Sequence, residues 1–133
     1  MPKLHLLFSH QLTDEQKQDA QQSWGIDTFV PLPDQLQKLW SNVPPTLAEH
    51  ELHSYLKPLR EHFLYAEIPN SKDFALVQGE FGATFEMITF LHKIGVDCLY
   101  ATTQRQNVEV LLPDGSVSKQ AVFRHVRFRK YWR

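Results

Sequence analysis

The chain has 133 residues, of which 42% are apolar and 22% charged, proportions of a globular protein rather than a disordered one. A formal net charge of −1 excludes a generally basic protein that coats long nucleic acid through bulk electrostatics. A lone cysteine, Cys98, excludes an intrachain disulfide, and the opening MPKLHLLFSHQL has too short an apolar run for a signal peptide or membrane span. The expectation is therefore a single cytoplasmic domain over residues 1–133.

In chain order, Lys3 to Ser9 is a mostly apolar run that stops at a polar loop, as a buried parallel strand does. Thr13-Asp14-Glu15-Gln16 reads as a capping box that opens a polar helix to about Ser23, anchored by Leu12, Ala20 and Trp24 and stopped at Gly25. Thr28 to Val30 is a short second strand. Pro33-Asp34 opens a further helix, with Leu36, Leu39 and Trp40 forming its apolar stripe. Asn42-Val43-Pro44-Pro45 breaks the chain. Leu52, Tyr55, Leu56, Leu59 and Phe63 then follow at helical spacing, and Pro58 inside the stripe predicts a kink or two abutting helices.

Asp73 to Val77 is the clearest buried strand, and it leads into the glycine-bearing turn Gln78 to Thr84. The helix after it, to about Ile94, is apolar on most sides and is expected to be buried. Gly95 ends it, and Val96 to Ala101 reads as the fourth strand. Val108 to Leu112 and Val117 to Phe128 form an antiparallel hairpin turned at Asp114-Gly115. Alternating strands and helices followed by a hairpin give an α/β sheet, parallel in its main part.

Ligands of open parallel sheets bind beyond the carboxyl ends of the strands. That rule selects the loops at Ser9-His10, Gln78 to Thr84 and Thr102 to Arg105. In the second, Gly79 and Gly82 allow close backbone approach, the next helix presents its amides, and Thr84 adds a hydroxyl. It is neither a P-loop nor a dinucleotide fingerprint, and a tight turn that needs glycine for geometry alone weighs equally. Thr102, Thr103, Gln104 and Arg105 suit a phosphate, although a plain polar loop has the same composition. Ser9 and His10 offer a hydroxyl and an imidazole that can pass a proton, against the reading of a solvated loop.

The last ten residues are basic, with Arg124, Arg127, Arg129, Lys130 and Arg133 around Phe128, Tyr131 and Trp132; an edge strand guarded by charge is favoured over a phosphate or base site. His50 and His53 have metal-ligand spacing but no third ligand, so no metal is expected. No serine elbow occurs, and Cys98 reads as core.

LLFSHQLTDEQ, SWGIDTFVPLPDQLQKLWSNVPP, LVQGEFGATF, LYATTQR and the closing DGSVSK and FRHVRFRKYW together resemble a CRISPR-associated family. It is that of the stand-alone Csx-type ring nucleases of type III systems, whose fold is similar to CARF domains. The resemblance covers nearly the whole chain. It implies a Rossmann-like, CARF-like domain that binds cyclic oligoadenylate, usually the four-membered ring, between the subunits of a homodimer. It further implies linearisation of that ring, without metal or cofactor, by attack of a ribose 2′-hydroxyl on the neighbouring phosphodiester.

On that resemblance, Gln78, Gly79, Phe81, Gly82 and Thr84 hold the ligand, while Ser9, Thr102, Thr103 and Gln104 orient ribose or phosphate. Arg105 neutralises the developing charge, and His10 or Glu80 accepts the proton. The loop lacks a lysine, so neutralisation rests on Arg105, with Arg127 or His125 of the last strand behind it. The competing readings are a non-cleaving sensor or sponge, a protein adaptor that uses exposed Trp24, Trp40 or the basic tail, and a metal-dependent nuclease.

Overall fold

In the computed structural model, which describes residues 1–133, the chain folds in the order β1 (Lys3–Phe8), α1 (Asp14–Trp24), β2 (Thr28–Pro31), α2 (Asp34–Ser41), α3 (Glu49–Tyr55) and α4 (Lys57–Glu61). A π-helical turn (His62–Ala66), β3 (Phe74–Gln78), α5 (Phe81–Lys93), β4 (Asp97–Leu111) and β5 (Val117–Lys130) complete it. The five strands form one sheet ordered β2-β1-β3-β4-β5, parallel through β4 and antiparallel between β4 and β5. This is a mixed α/β fold.

Local signals explain most of these elements. Thr13 Oγ1 accepts from Gln16 N–H and Gln16 Oε1 from Thr13 N–H, the reciprocal box that opens α1. Gly25 closes it at φ +68°, a left-handed conformation that costs glycine least. Pro58 falls at the start of α4, so the stripe from Leu52 to Phe63 is two abutting helices and a π-helical turn.

Alternation along the strands divides the core between the two faces of the sheet. Leu7, Ala75, Val77 and Cys98 face a larger cluster with Trp40, Leu59, Phe63, Met87 and Leu91 from the helices. Leu4, Leu76 and Leu99 face a smaller one with Ala20, Ile26 and Phe128.

Several expectations change. The fourth strand does not stop at Ala101: it runs on to Leu111, because β5 pairs with it from Leu99↔Lys130 to Leu111↔Val117. The turn at Asp114-Gly115 holds, with Leu112 N–H donating to Ser116 C=O. α5 is not buried all round, since only Ala83, Met87 and Leu91 are enclosed while Phe81 and Phe85 are 94% and 71% exposed. Trp40 is not an exposed adaptor residue but core, and Trp24 is half-buried with its ring edge-on to Phe74. No helix is long and apolar enough to cross a membrane.

The basic terminus is an edge strand, as favoured above. Three of its cations find partners at home: Lys130 and Arg133 approach Asp97 at 3.4 and 2.8 Å, and Arg129 donates to Tyr100 Oη.

Candidate functional site

The carboxyl ends of β1 and β2 open into a cleft of about 520 Å³ between α1 and α2. Ser9 and His10 lie on its wall, with Lys17 of α1 and Asp34 and Gln37 of α2. α2 braces the β1 end: Gln37 Nε2 donates to Phe8 C=O at 2.9 Å and to Ser41 Oγ at 3.1 Å, and Ser41 Oγ donates to Ser9 Oγ at 3.0 Å. The His10 ring stands edge-on to Phe8, 5.5 Å between centroids, and stays exposed. One exposed imidazole, one hydroxyl and one ammonium thus share a concave surface with the Asp34 carboxylate, a set that can meet an anionic group at Lys17 and pass a proton.

Lys17 is the cation that the strand-end loops lack. A search confined to loops misses it because it sits in the first turns of α1, where the capping box sets its position. Asp34 and Gln37 were missed for the same reason. Their signal was adjacency to Pro33, which starts α2 directly after β2.

The glycine turn after β3 has a different explanation. A Cβ on Gly79 would meet Trp40 Cε2 and Cζ2 at 2.8 Å, so this glycine makes room for the indole. A Cβ on Gly82 would meet Leu52 Cδ2 at 2.9 Å. The Glu80 carboxylate caps α5 by accepting from Gly82 N–H, which takes one of the amides expected for a phosphate and sets a negative charge at that helix start. Gln78 Oε1 accepts from Ala101 N–H at 2.8 Å and its carbonyl accepts from the Trp40 indole at 3.2 Å, both structural roles. Thr84 Oγ1 is buried without a partner, and Phe81 projects into solvent.

Glu80 and Gly82 also line a separate groove with Leu52, Glu49 and Glu86, away from His10. His53 is not on its wall; it is already engaged, with Nδ1 2.6 Å from Glu86 Oε1.

Thr102 to Arg105 do not form a strand-end loop. They lie within β4, paired with Arg127, His125, Arg124 and Phe123 of β5. Thr102 Oγ1 donates to Arg127 C=O at 2.8 Å just before a register shift, and Gln104 and Arg105 are exposed. Thr103 borders a small hollow with Glu15, Arg124 and His125. Behind it, His125 Nε2 lies 2.7 Å from Asp19 Oδ2, tying β5 to α1. Burial pushes the Asp19 carboxyl up, but hydrogen bonds from Ser23 and His125 outweigh it and hold the group below its ordinary value.

Of the residues anticipated from the sequence, the fold therefore gathers Ser9 and His10 in one cleft. Glu80 and Gly82 go to a separate groove, Gly79 packs against Trp40, and Thr102 to Arg105 go to the hairpin.

A family model described as the uncharacterized protein MJ1673 family matches residues 2–129. The chain belongs to the MJ1673 family. It is 43% identical over 131 residues to uncharacterized protein MJ1673 of Methanocaldococcus jannaschii, covering 98% of each chain. No solved structure matches it. The description of the MJ1673 family names no ligand or reaction.

Proposed function

We propose that this chain is a CARF-like ring nuclease that binds cyclic oligoadenylate, the four-membered ring foremost, and linearises it to end type III CRISPR signalling. The observation that supports this is the grouping of His10, Ser9 and Lys17 on one cleft at the carboxyl ends of β1 and β2. An anionic ligand needs a cation and donors there, and Lys17 answers the want of a lysine in the loops.

In this reading the 2′-hydroxyl of one adenylate gives its proton to His10 and attacks the adjacent phosphorus. The bond to the 5′-oxygen breaks, that oxygen takes up a proton, and a 2′,3′-cyclic phosphate end remains. Lys17 faces the charge that builds on the non-bridging oxygens, and Ser9 positions the phosphate. His10 is preferred to Glu80 as the base, because the Glu80 carboxylate is spent on Gly82 N–H. Arg105 lies on the hairpin and not on the cleft wall, so it does not reach the reacting phosphate in this reading.

A cleft of about 520 Å³ has the size of a small-molecule site. A tetranucleotide ring is larger than that, so the proposal includes a homodimer whose two clefts share it.

The test is incubation of the purified chain, with EDTA present, with cyclic tri-, tetra- and hexa-adenylate, the products being resolved by chromatography and mass spectrometry. Linear products that end in a cyclic phosphate are expected. Intact rings that co-elute with the protein would leave a sensor or sponge, and intact rings without binding would overturn the reading.

A further inference from the structure

Past the point where β3 ends, β4 and β5 continue as a two-stranded arm. β3 pairs with β4 only as far as Leu76↔Leu99, whereas β4 and β5 stay paired to Leu111↔Val117. Such a ribbon is marginally stable alone in water, and the long edge of β4 in this one has no neighbour.

Alternation decides which residues face that edge. Cys98 C=O accepts from Tyr131 N–H, toward β5, while Ala101 N–H donates to Gln78 on the opposite side. The odd-numbered positions therefore turn their backbone groups away from β5, namely Thr103, Arg105, Asn107 and Glu109. The register shift at Thr102/Thr103 leaves this intact, because the extra residue, Val126, is on β5. The side chains of all four are exposed.

The outer edges of the arm differ in charge. β5 carries Lys119, Arg124, Arg127, Arg129 and Lys130 with no acid, so two copies repel there. The open edge of β4 carries one base and one acid placed symmetrically, Arg105 two residues before Asn107 and Glu109 two residues after. An antiparallel pair with its two-fold axis at Asn107 sets Arg105 directly opposite the partner's Glu109, twice. Axes at Arg105 or at Glu109 would set like charges face to face.

We propose that two copies of this chain join edge to edge through β4, antiparallel about Asn107, and form a continuous four-stranded sheet from both arms. Within one protomer, Glu109 already lies opposite Lys119. Each row of the joined sheet then alternates in sign: Arg105, the partner's Glu109, the partner's Lys119. This pairing rests on the strand edge alone and stands whether or not the cleft takes a nucleotide.

Sedimentation equilibrium of the full chain without nucleotide is expected to show a dimer at micromolar concentration. Arg105→Glu opposes carboxylates at both contacts and is expected to weaken the dimer at least about tenfold. Glu109→Arg does the same with two cations. An equimolar mixture of the two variants pairs opposite charges at both contacts and is expected to dimerise again. Asn107→Pro removes an N–H that points away from β5, so it is expected to give a monomer with unchanged far-ultraviolet dichroism. A wild-type monomer, an Arg105→Glu variant that remains as dimeric as wild type, or a mixture that stays monomeric would overturn the proposal. If one charge variant fails to fold, Asn107→Pro decides.

Discussion

His5 Nε2 and Asp73 Oδ2 lie 2.9 Å apart inside the sheet, with both side chains 2% exposed. The same carboxylate accepts from Lys3 N–H and Asn70 N–H, each at 3.0 Å. One side chain thus joins the start of β1, the loop after the π-helical turn and the start of β3. Removing it strands three donors, so Asp73→Ala is expected to lose about 3 kcal/mol. Asp73→Asn keeps the shape and loses less. Urea titration checks this, and a midpoint equal to wild type would show that the pair contributes nothing.

Stability is expected to fall with acid in two stages. Burial pushes the His62 and His92 imidazoles below their ordinary value. Their contribution is present above about pH 6.5 and is lost as pH drops through their depressed folded values. Burial pushes the Asp73 carboxyl up, but hydrogen bonds from His5, Lys3 and Asn70 outweigh it, leaving the group low like Asp19. That contribution is present above about pH 4 and disappears as pH falls through the lowered folded values. Denaturant midpoints from pH 8 to pH 3 test both stages, and Asp73→Asn should reduce the second.

Gly79→Ala places a methyl 2.8 Å from the Trp40 indole, which is itself only 2% exposed. Overpacking of this kind is expected to cost about 1–3 kcal/mol, more than the unfolded-state benefit of alanine returns. Thermal melting with tryptophan fluorescence reads both the loss and the displacement of Trp40. A stabilised variant would mean that the indole moves freely.

If the cleft performs the proposed cleavage, His10→Ala is expected to slow it about 10²–10⁴-fold. Lys17→Ala is expected to slow it about 10²–10³-fold, with partial recovery in Lys17→Arg. Single-turnover rates on cyclic tetra-adenylate are the measurement, and wild-type rates in both alanine variants would move the reaction away from this cleft.

Cys98 should be inert. It is fully enclosed, and burial pushes its thiol up to about 12. Ellman's reagent is expected to label it only in denaturant, and prompt labelling of the native chain would contradict the packing of β4.

The elements legible along the chain are those that short-range physics decides. The Thr13 to Gln16 box, the buried run through β3, the break at Pro58 and the turn at Gly115 all act within a few residues, and each was readable. The basic edge of β5 was readable too, since charge composition is local. That Thr102 to Arg105 extend a strand emerges in the folded sheet alone, because their polarity matches a loop until β5 supplies the ladder. The fold does more than this. It alone set Gly79 against Trp40, 39 positions away in the chain, and so turned a would-be phosphate turn into a packing contact. It also set Lys17 of α1 and His10 on the wall of one cleft, and Asp73 beside His5 across 68 positions. Such meetings depend on how strands are ordered in the sheet, and neither periodicity nor spacing along the chain encodes that order.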